Sequence, residues 1–216
     1  MKTVLCFGDS NTWGAVPMAR MDEAPRHPRA ERWPGVLQAE LGAGWQVVAE
    51  GLPGRTTVLE DPIEGEHLSG RLYLRPCLDS HKPLDLIVLM LGTNDFKRRF
   101  GLEAEDVAAG VGRLLAEIRQ FAHGATPAPQ VLLVCPPPIQ VTGIFTTMFA
   151  GAAERFRPLP ALLRALAAKE GASYFDAGSI IQASPLDGIH YDAAAHGTLG
   201  RAIARLAAEM FAVATR

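Results

Sequence analysis

Residues 3–14 read TVLCFGDSNTWG: an apolar run stops on glycine and passes straight into acid, serine and asparagine. Thr3–Phe7 has the continuous apolar character of a buried strand, and Gly8 ends it. Gly, Asp, Ser and Asn are turn and helix-cap residues, so the next residues should carry the chain from a strand into a helix. Taken alone, Gly8-Asp9-Ser10 is only such a cap. Whether Ser10 does chemistry depends on what the rest of the chain sets beside it.

Four further runs read as strands: Gln46–Glu50, Asp85–Leu91, Gln130–Cys135 and Ser173–Asp176. The continuous "LIVLML" and "VLLVC" suit strands covered on both faces of a parallel sheet. Helical periodicity lies between them, over Glu31–Leu41, Glu103–Phe121, Leu159–Lys169 and Ala193–Ala214. The second of these carries Val107, Val111, Leu114, Leu115 and Ile118 at helical spacing. Strands alternating with helices argue an α/β domain of three layers with right-handed crossovers. Two stretches fall outside that plan. Residues 15–30, rich in proline and charge, are expected as a surface loop. Residues 136–158 open on three prolines and then carry Ile139, Val141, Ile144, Phe145, Met148 and Phe149, an apolar content that should cover something.

The chain has 216 residues, 48% of them hydrophobic, which suits one large core, with two small domains as the alternative. Basic and acidic residues number 21 and 23 and are scattered, so no basic tract tracks phosphates and nucleic acid is not an expected partner. No stretch approaches the roughly 18 apolar residues of a membrane helix, and Val4–Phe7 is too short for a secretory core. Cys6, Cys77 and Cys135 form no C-x-x-C pair and read as reduced, structural thiols. These features together point to a soluble cytoplasmic protein.

In open parallel sheets, ligands bind at the carboxyl ends of the strands. Those ends are followed here by Gly8-Asp9-Ser10-Asn11, Gly51-Leu52-Pro53-Gly54-Arg55, Gly92-Thr93-Asn94-Asp95, the prolines at 136–138, and Asp187-Gly188-Ile189-His190. Acyl transfer is the chemistry such residues support. A serine hydroxyl needs a neighbouring base, and the base needs an orienting carboxylate. Asp187 and His190, three apart, can meet within one turn and leave Nε2 free for the Ser10 proton. The Ser10 N–H, the Gly54 N–H and the Asn94 amide are candidate donors to an oxyanion. The elbow G-x-S-x-G of the α/β-hydrolases fails, because Thr12 stands where its second glycine belongs.

"FGDSNTWG", "GLPGRTT", "GTND" and "DGIH" occur in the order of the four blocks of the SGNH hydrolases, or GDSL esterases, which this chain resembles. It is most similar to the bacterial arylesterase and acyltransferase branch, through "KPLDLIVLMLGTND", "VCPPP" and "YFDAGS" along nearly its whole length. The resemblance implies one SGNH-hydrolase domain over residues 1–216 and a flavodoxin-like, five-stranded parallel sheet of order 2-1-3-4-5. It also implies a catalytic triad of Ser10, Asp187 and His190, with an oxyanion hole from Ser10, Gly54 and Asn94. Asn11 replaces the leucine of the GDSL block, a position that carries no chemistry, and Glu50-Gly51 opens the second block where many members have asparagine.

On this reading the chain is a serine esterase for short acyl esters, acetate above all, of aryl or alkyl alcohols. It would work through an acyl-Ser10 intermediate, with transfer to alcohols or peroxide as a side activity. A carbohydrate acetyl esterase, or a lysophospholipase or thioesterase, is the alternative on the same blocks. A flavodoxin-like binding module is the non-enzymatic alternative, disfavoured because no catalytic position is missing. The partner is then a small-molecule ester, with no cofactor and no metal. Candidate pocket residues are Asp9, Trp13, Ile139, Ile144 and Phe145. Asp9 and Asp95 read as turn-forming residues, and Arg55 as a residue near the site or, equally, a surface residue or an outer ion-pair partner. His196 reads as a solvated or capping residue, and His27, His67, His81 and His123 as surface residues. The branch forms homo-oligomers, so apolar surface from residues 136–158 is expected to be covered by a second copy.

Overall fold

Alternation along each strand decides which residues face which layer. In the computed structural model, which describes residues 1–23, 25–123 and 127–213, five strands form one parallel sheet. They are β1 (Lys2–Gly8), β2 (Trp45–Gly51), β3 (Leu86–Met90), β4 (Gln130–Cys135) and β5 (Ser173–Asp176), in the order β2-β1-β3-β4-β5. The helices among the described residues are α1 (Ser10–Trp13), α2 (Trp33–Leu41), α3 (Gly70–His81), α4 (Ala104–Ala122), α5 (Ala152–Phe156), α6 (Leu159–Glu170) and α7 (Ala193–Val213). Ala214, the expected end of the last helix, lies outside the described residues.

On β3, Ile87 and Leu89 pack with Leu74 and Leu78 of α3, Val111 and Leu114 of α4, and Leu163 of α6. Leu86, Val88 and Met90 point the other way, onto Trp33 and Leu37 of α2 and Leu199 and Ile203 of α7. All five β3 residues are buried, as a central parallel strand requires. The result is the three-layer α/β architecture. Cys6 and Cys135 fall on opposite faces of the sheet, and all three cysteines are free and buried. Among the described residues no helix is long and apolar enough to cross a membrane.

Element boundaries match the sequence expectations to within two residues, except that α3 and α5 were not foreseen. Pro76 lies inside α3 and deprives it of a backbone donor, the feature that argues against a helix there. Burial of Leu74, Cys77 and Leu78, on one helical stripe, overrides that local cost. α4 starts on a reciprocal cap: the Glu103 side chain accepts from the third residue, while the Asp106 carboxylate accepts the Glu103 N–H.

The two irregular stretches are more structured than a solvated loop. The described residues of the 15–30 stretch fold back through an Ala15–Arg26 bridge, and the Arg26 guanidinium lies 4.4 Å over the Trp13 ring. His27, expected at the surface, is buried there, its Nε2 3.1 Å from the Tyr191 carbonyl. Residues 136–158 turn Ile139 and Phe149 into the core and leave Val141, Ile144, Phe145 and Met148 half-buried against it. The apolar content of this stretch therefore mostly serves its own chain.

Candidate active site

Five parallel strands deliver five chain segments to one edge of the sheet, and residues from all five line one cavity. Asp9 caps α1, its carboxylate accepting the Asn11 N–H at 2.9 Å, so Ser10 begins the helix directly after β1. Across the site, Asp187 Oδ1 accepts the N–H groups of Ile189 and His190, both at 3.0 Å. That turn swings the His190 ring back, so that Nδ1 lies 2.8 Å from Asp187 Oδ2 and Nε2 lies 3.1 Å from Ser10 Oγ. Asn11 Nδ2 donates to the Ile189 carbonyl at 3.1 Å and ties the two turns together. Ser10 and His190 are each 5% exposed and Asp187 is fully buried, so the hydrogen-bonded chain runs from solvent edge to interior.

The long segments brace this arrangement. Gly188 sits at φ +77, and a Cβ there would lie 1.7 Å from the Gln140 carbonyl oxygen. Gln140 in turn donates its N–H to the Gly188 carbonyl at 3.0 Å and its side-chain amide to Ala183. The Met18 N–H, from the stretch expected to be solvated, donates to Asp187 Oδ2 at 3.0 Å.

Gly54 adopts φ +82, a left-handed conformation that glycine enters without strain, and lines the same cavity as Ser10, Asn94 and His190. Asn94 Nδ2 donates to the Arg55 carbonyl at 3.1 Å. Asp95 holds the turn from below, accepting the Thr57 N–H and hydroxyl. Arg55 is 2% exposed, which decides for the placement near the site over the surface one. Its Nη1 donates to the carbonyls of Gly8 at 2.8 Å and Glu50 at 2.5 Å, and its guanidinium lies 4.3 Å over the Phe7 ring. It thus ties the ends of β1 and β2 to the loop carrying Gly54. Only a side chain folded inward over Phe7 can do this, and no sequence pattern announces that direction.

The cavity above Ser10 holds about 250 Å³. Trp13 and Phe145 form part of its wall, and the Phe145 ring meets His190 edge-on with centroids 5.7 Å apart. The other pocket candidates lie elsewhere. Asp9 is buried in the turn after β1, and Ile139 is in the core. Ile144 lines an adjacent groove with Met21, Ile63 and Met148. Sequence reasoning missed Met18, Lys97 and Glu64. Lys97 Nζ lies 3.0 Å from Glu64 Oε2 and 3.3 Å from buried Asp61, and both Lys97 and Glu64 reach the cavity wall. His196, expected to be solvated, is fully buried, and its Nδ1 accepts the Trp33 N–H. Burial, with the charges of His27, His190 and Arg32, pushes its pKa down to about 3, so it is neutral.

A model of the GDSL-like lipase/acylhydrolase family matches residues 6–198. The chain belongs to that family. It is a carboxylic-ester hydrolase of the SGNH type. The structure of the native aryl esterase of M. smegmatis is 40% identical and superposes with a TM-score of 0.92, covering 97% of this chain and 99% of that one. A carbohydrate acetylesterase from Sinorhizobium meliloti is 41% identical with a TM-score of 0.92, covering 97% of this chain and all of its own. A search of curated proteins gives no match.

The electrostatics separate three buried carboxylates. Burial tends to push the Asp187 carboxyl up. The His190 ring bond and charge and the two backbone donors outweigh it and hold the group below its ordinary range. Burial wins at Asp9, pushed up to about 6 despite the Asn11 N–H, His190 and Arg55, and at Asp95, also about 6 despite Thr57. Between the unfolded value of 3.8 and about 6, the folded chain therefore binds more protons at these two sites, and their contribution to stability falls as pH rises. Asp9→Asn keeps an oxygen acceptor for the cap and removes the ionisation. Its unfolding free energy should exceed that of the wild type at pH 8 by on the order of 2–3 kcal/mol, and the gain should vanish below about pH 4. Urea unfolding at both pH values reads it; a gain independent of pH, or a loss at pH 8, contradicts the assignment.

Proposed function

We propose that the chain hydrolyses short-chain acyl esters, acetate above all, of aryl or simple alkyl alcohols through an acyl-Ser10 intermediate. The observation that carries this reading is the hydrogen-bonded line from Asp187 through His190 to Ser10 Oγ. His190 Nε2 takes the Ser10 proton as Oγ attacks the ester carbonyl carbon, and the carbonyl electron pair moves onto oxygen. The Ser10 N–H, the Gly54 N–H and the Asn94 amide receive that oxyanion. The carbonyl re-forms, the alkoxide leaves, and His190 returns the proton to it. Water then attacks the acyl-serine by the same route, giving the carboxylic acid and free Ser10. An alcohol or peroxide in place of water gives acyl transfer, the side activity of this proposal.

The cavity of about 250 Å³ falls below the usual 300–1,000 Å³ of ligand pockets, which supports a short acyl group. Specific features also favour a second reading, a carbohydrate acetyl esterase. The Lys97–Glu64 pair offers hydroxyl groups a donor and an acceptor on an otherwise largely apolar wall, and a carbohydrate acetylesterase is 41% identical. Three free buried thiols support a reducing, cytoplasmic setting.

p-Nitrophenyl esters of increasing chain length, compared with acetylated sugars, test the substrate class. Turnover should be highest on acetate and fall steeply by octanoate, and Ser10→Ala should lose at least about 1,000-fold. Faster turnover on octanoate, or a Ser10→Ala chain that retains activity, contradicts the proposal.

Assembly is the other part of this reading. Met21 and Ile63 are 62% and 73% exposed beside half-buried Ile144 and Met148, an apolar rim next to the cavity mouth. We propose that a second copy covers it in a homo-oligomer. Light scattering should give a multiple of 23.2 kDa, whereas a monomer mass contradicts this.

A further inference from the structure

β2 is an edge strand, and Glu50 lies next to its carboxyl end, facing α3. Along α3, Tyr73, Cys77 and His81 follow one another at intervals of four residues, which places them on one stripe of the helix. The stripe meets Glu50: His81 Nε2 lies 2.7 Å from Glu50 Oε1, and the Tyr73 hydroxyl donates to Glu50 Oε2 at 3.3 Å. The ligand atoms of Glu50, Cys77 and His81 all lie within 4.8 Å of one another.

We propose that Glu50, Cys77 and His81 form a binding site for a thiophilic divalent cation, Zn²⁺ in the first instance. One carboxylate oxygen, one sulfur and one imidazole nitrogen suit that class of ion, whereas magnesium and calcium take oxygen ligands. Three protein ligands leave the fourth tetrahedral position to water. Bonds of about 2.0–2.3 Å would draw the three atoms somewhat closer than they stand. His81 and Glu50 supply that movement, since their side chains are 28% and 22% exposed, and they also give the ion a path from solvent to buried Cys77.

The charge balance is consistent. The Arg55 guanidinium lies within electrostatic reach of both Glu50 and Cys77, so a site of neutral ligands would repel a cation. On coordination Cys77 releases its thiol proton to solvent. Carboxylate and thiolate then together neutralise a divalent ion. Tyr73 acts by holding the Glu50 carboxylate rather than as a ligand. The site is separate from Ser10, yet it grips the strand end whose Glu50 carbonyl accepts from Arg55. An ion there would pin the root of the loop that carries Gly54.

Titration of the untagged full chain with Co²⁺ and Zn²⁺ tests the site. Co²⁺ should bind at one per chain and produce a thiolate-to-cobalt charge-transfer band in the near ultraviolet. Cys77→Ser should abolish the band. His81→Gln, at a half-buried position where folding is not at risk, should weaken binding at least about tenfold, and Tyr73→Phe by about tenfold. Zn²⁺ should raise the Tm of the wild type but not of Cys77→Ser or His81→Gln. Failure to bind overturns the proposal, as does binding that Cys77→Ser and His81→Gln leave unchanged, which would mark ions scattered over other histidines.

Discussion

Asp187 is a fully buried carboxylate that accepts four hydrogen bonds from three residues. The N–H groups of Ile189 and His190 close the turn, the His190 ring is held by Nδ1, and the Met18 N–H arrives from the 15–30 stretch. An isolated ionised carboxylate in such a position would be expensive, and its satisfied lone pairs are what make it tolerable. The same bonds orient the imidazole. One buried group thus sets the position of the His190 ring, and both irregular segments reach the turn that carries it.

The opposite wall of the site depends on a buried cation. Arg55 bridges the ends of β1 and β2 and offers its own carbonyl to Asn94, so the turn before Ser10, the Gly54 loop and the Asn94 amide share one anchor. Its planar guanidinium can donate to two carbonyls while stacking on Phe7, a combination lysine lacks. Asp9 lies close enough to feel both Arg55 and His190. The Asp9 carboxylate and the Arg55 guanidinium interact in a buried region where low dielectric strengthens their attraction.

The sheet was legible because strands covered on both faces must be apolar throughout, and "LIVLML" leaves no other economical reading. The meeting of Ser10, His190 and Asp187 was legible because each follows a strand or precedes a helix, where side chains reach the sheet edge. α3 was hidden by Pro76, whose local cost is outweighed by packing that only the folded chain supplies. His27 and His196 were misplaced, and Arg55 was left undecided, for a related reason: polar side chains look solvated until the carbonyls and rings that receive them are known. Met18 left no sequence signal, since its contribution is a backbone N–H. Ile139 and Ile144 show the converse, for an apolar residue in a loop can face core, cavity or surface, and composition does not say which.

Everything proposed for the site depends on Ser10 being the nucleophile that His190 activates. Intact-mass spectrometry after treatment with a serine-directed organophosphonate addresses it directly, on the wild type, Ser10→Ala and His190→Ala. A single adduct mapping to Ser10, absent from Ser10→Ala and formed far more slowly in folded His190→Ala, is the predicted result. An adduct on another residue, or an equal labelling rate without His190, would contradict it.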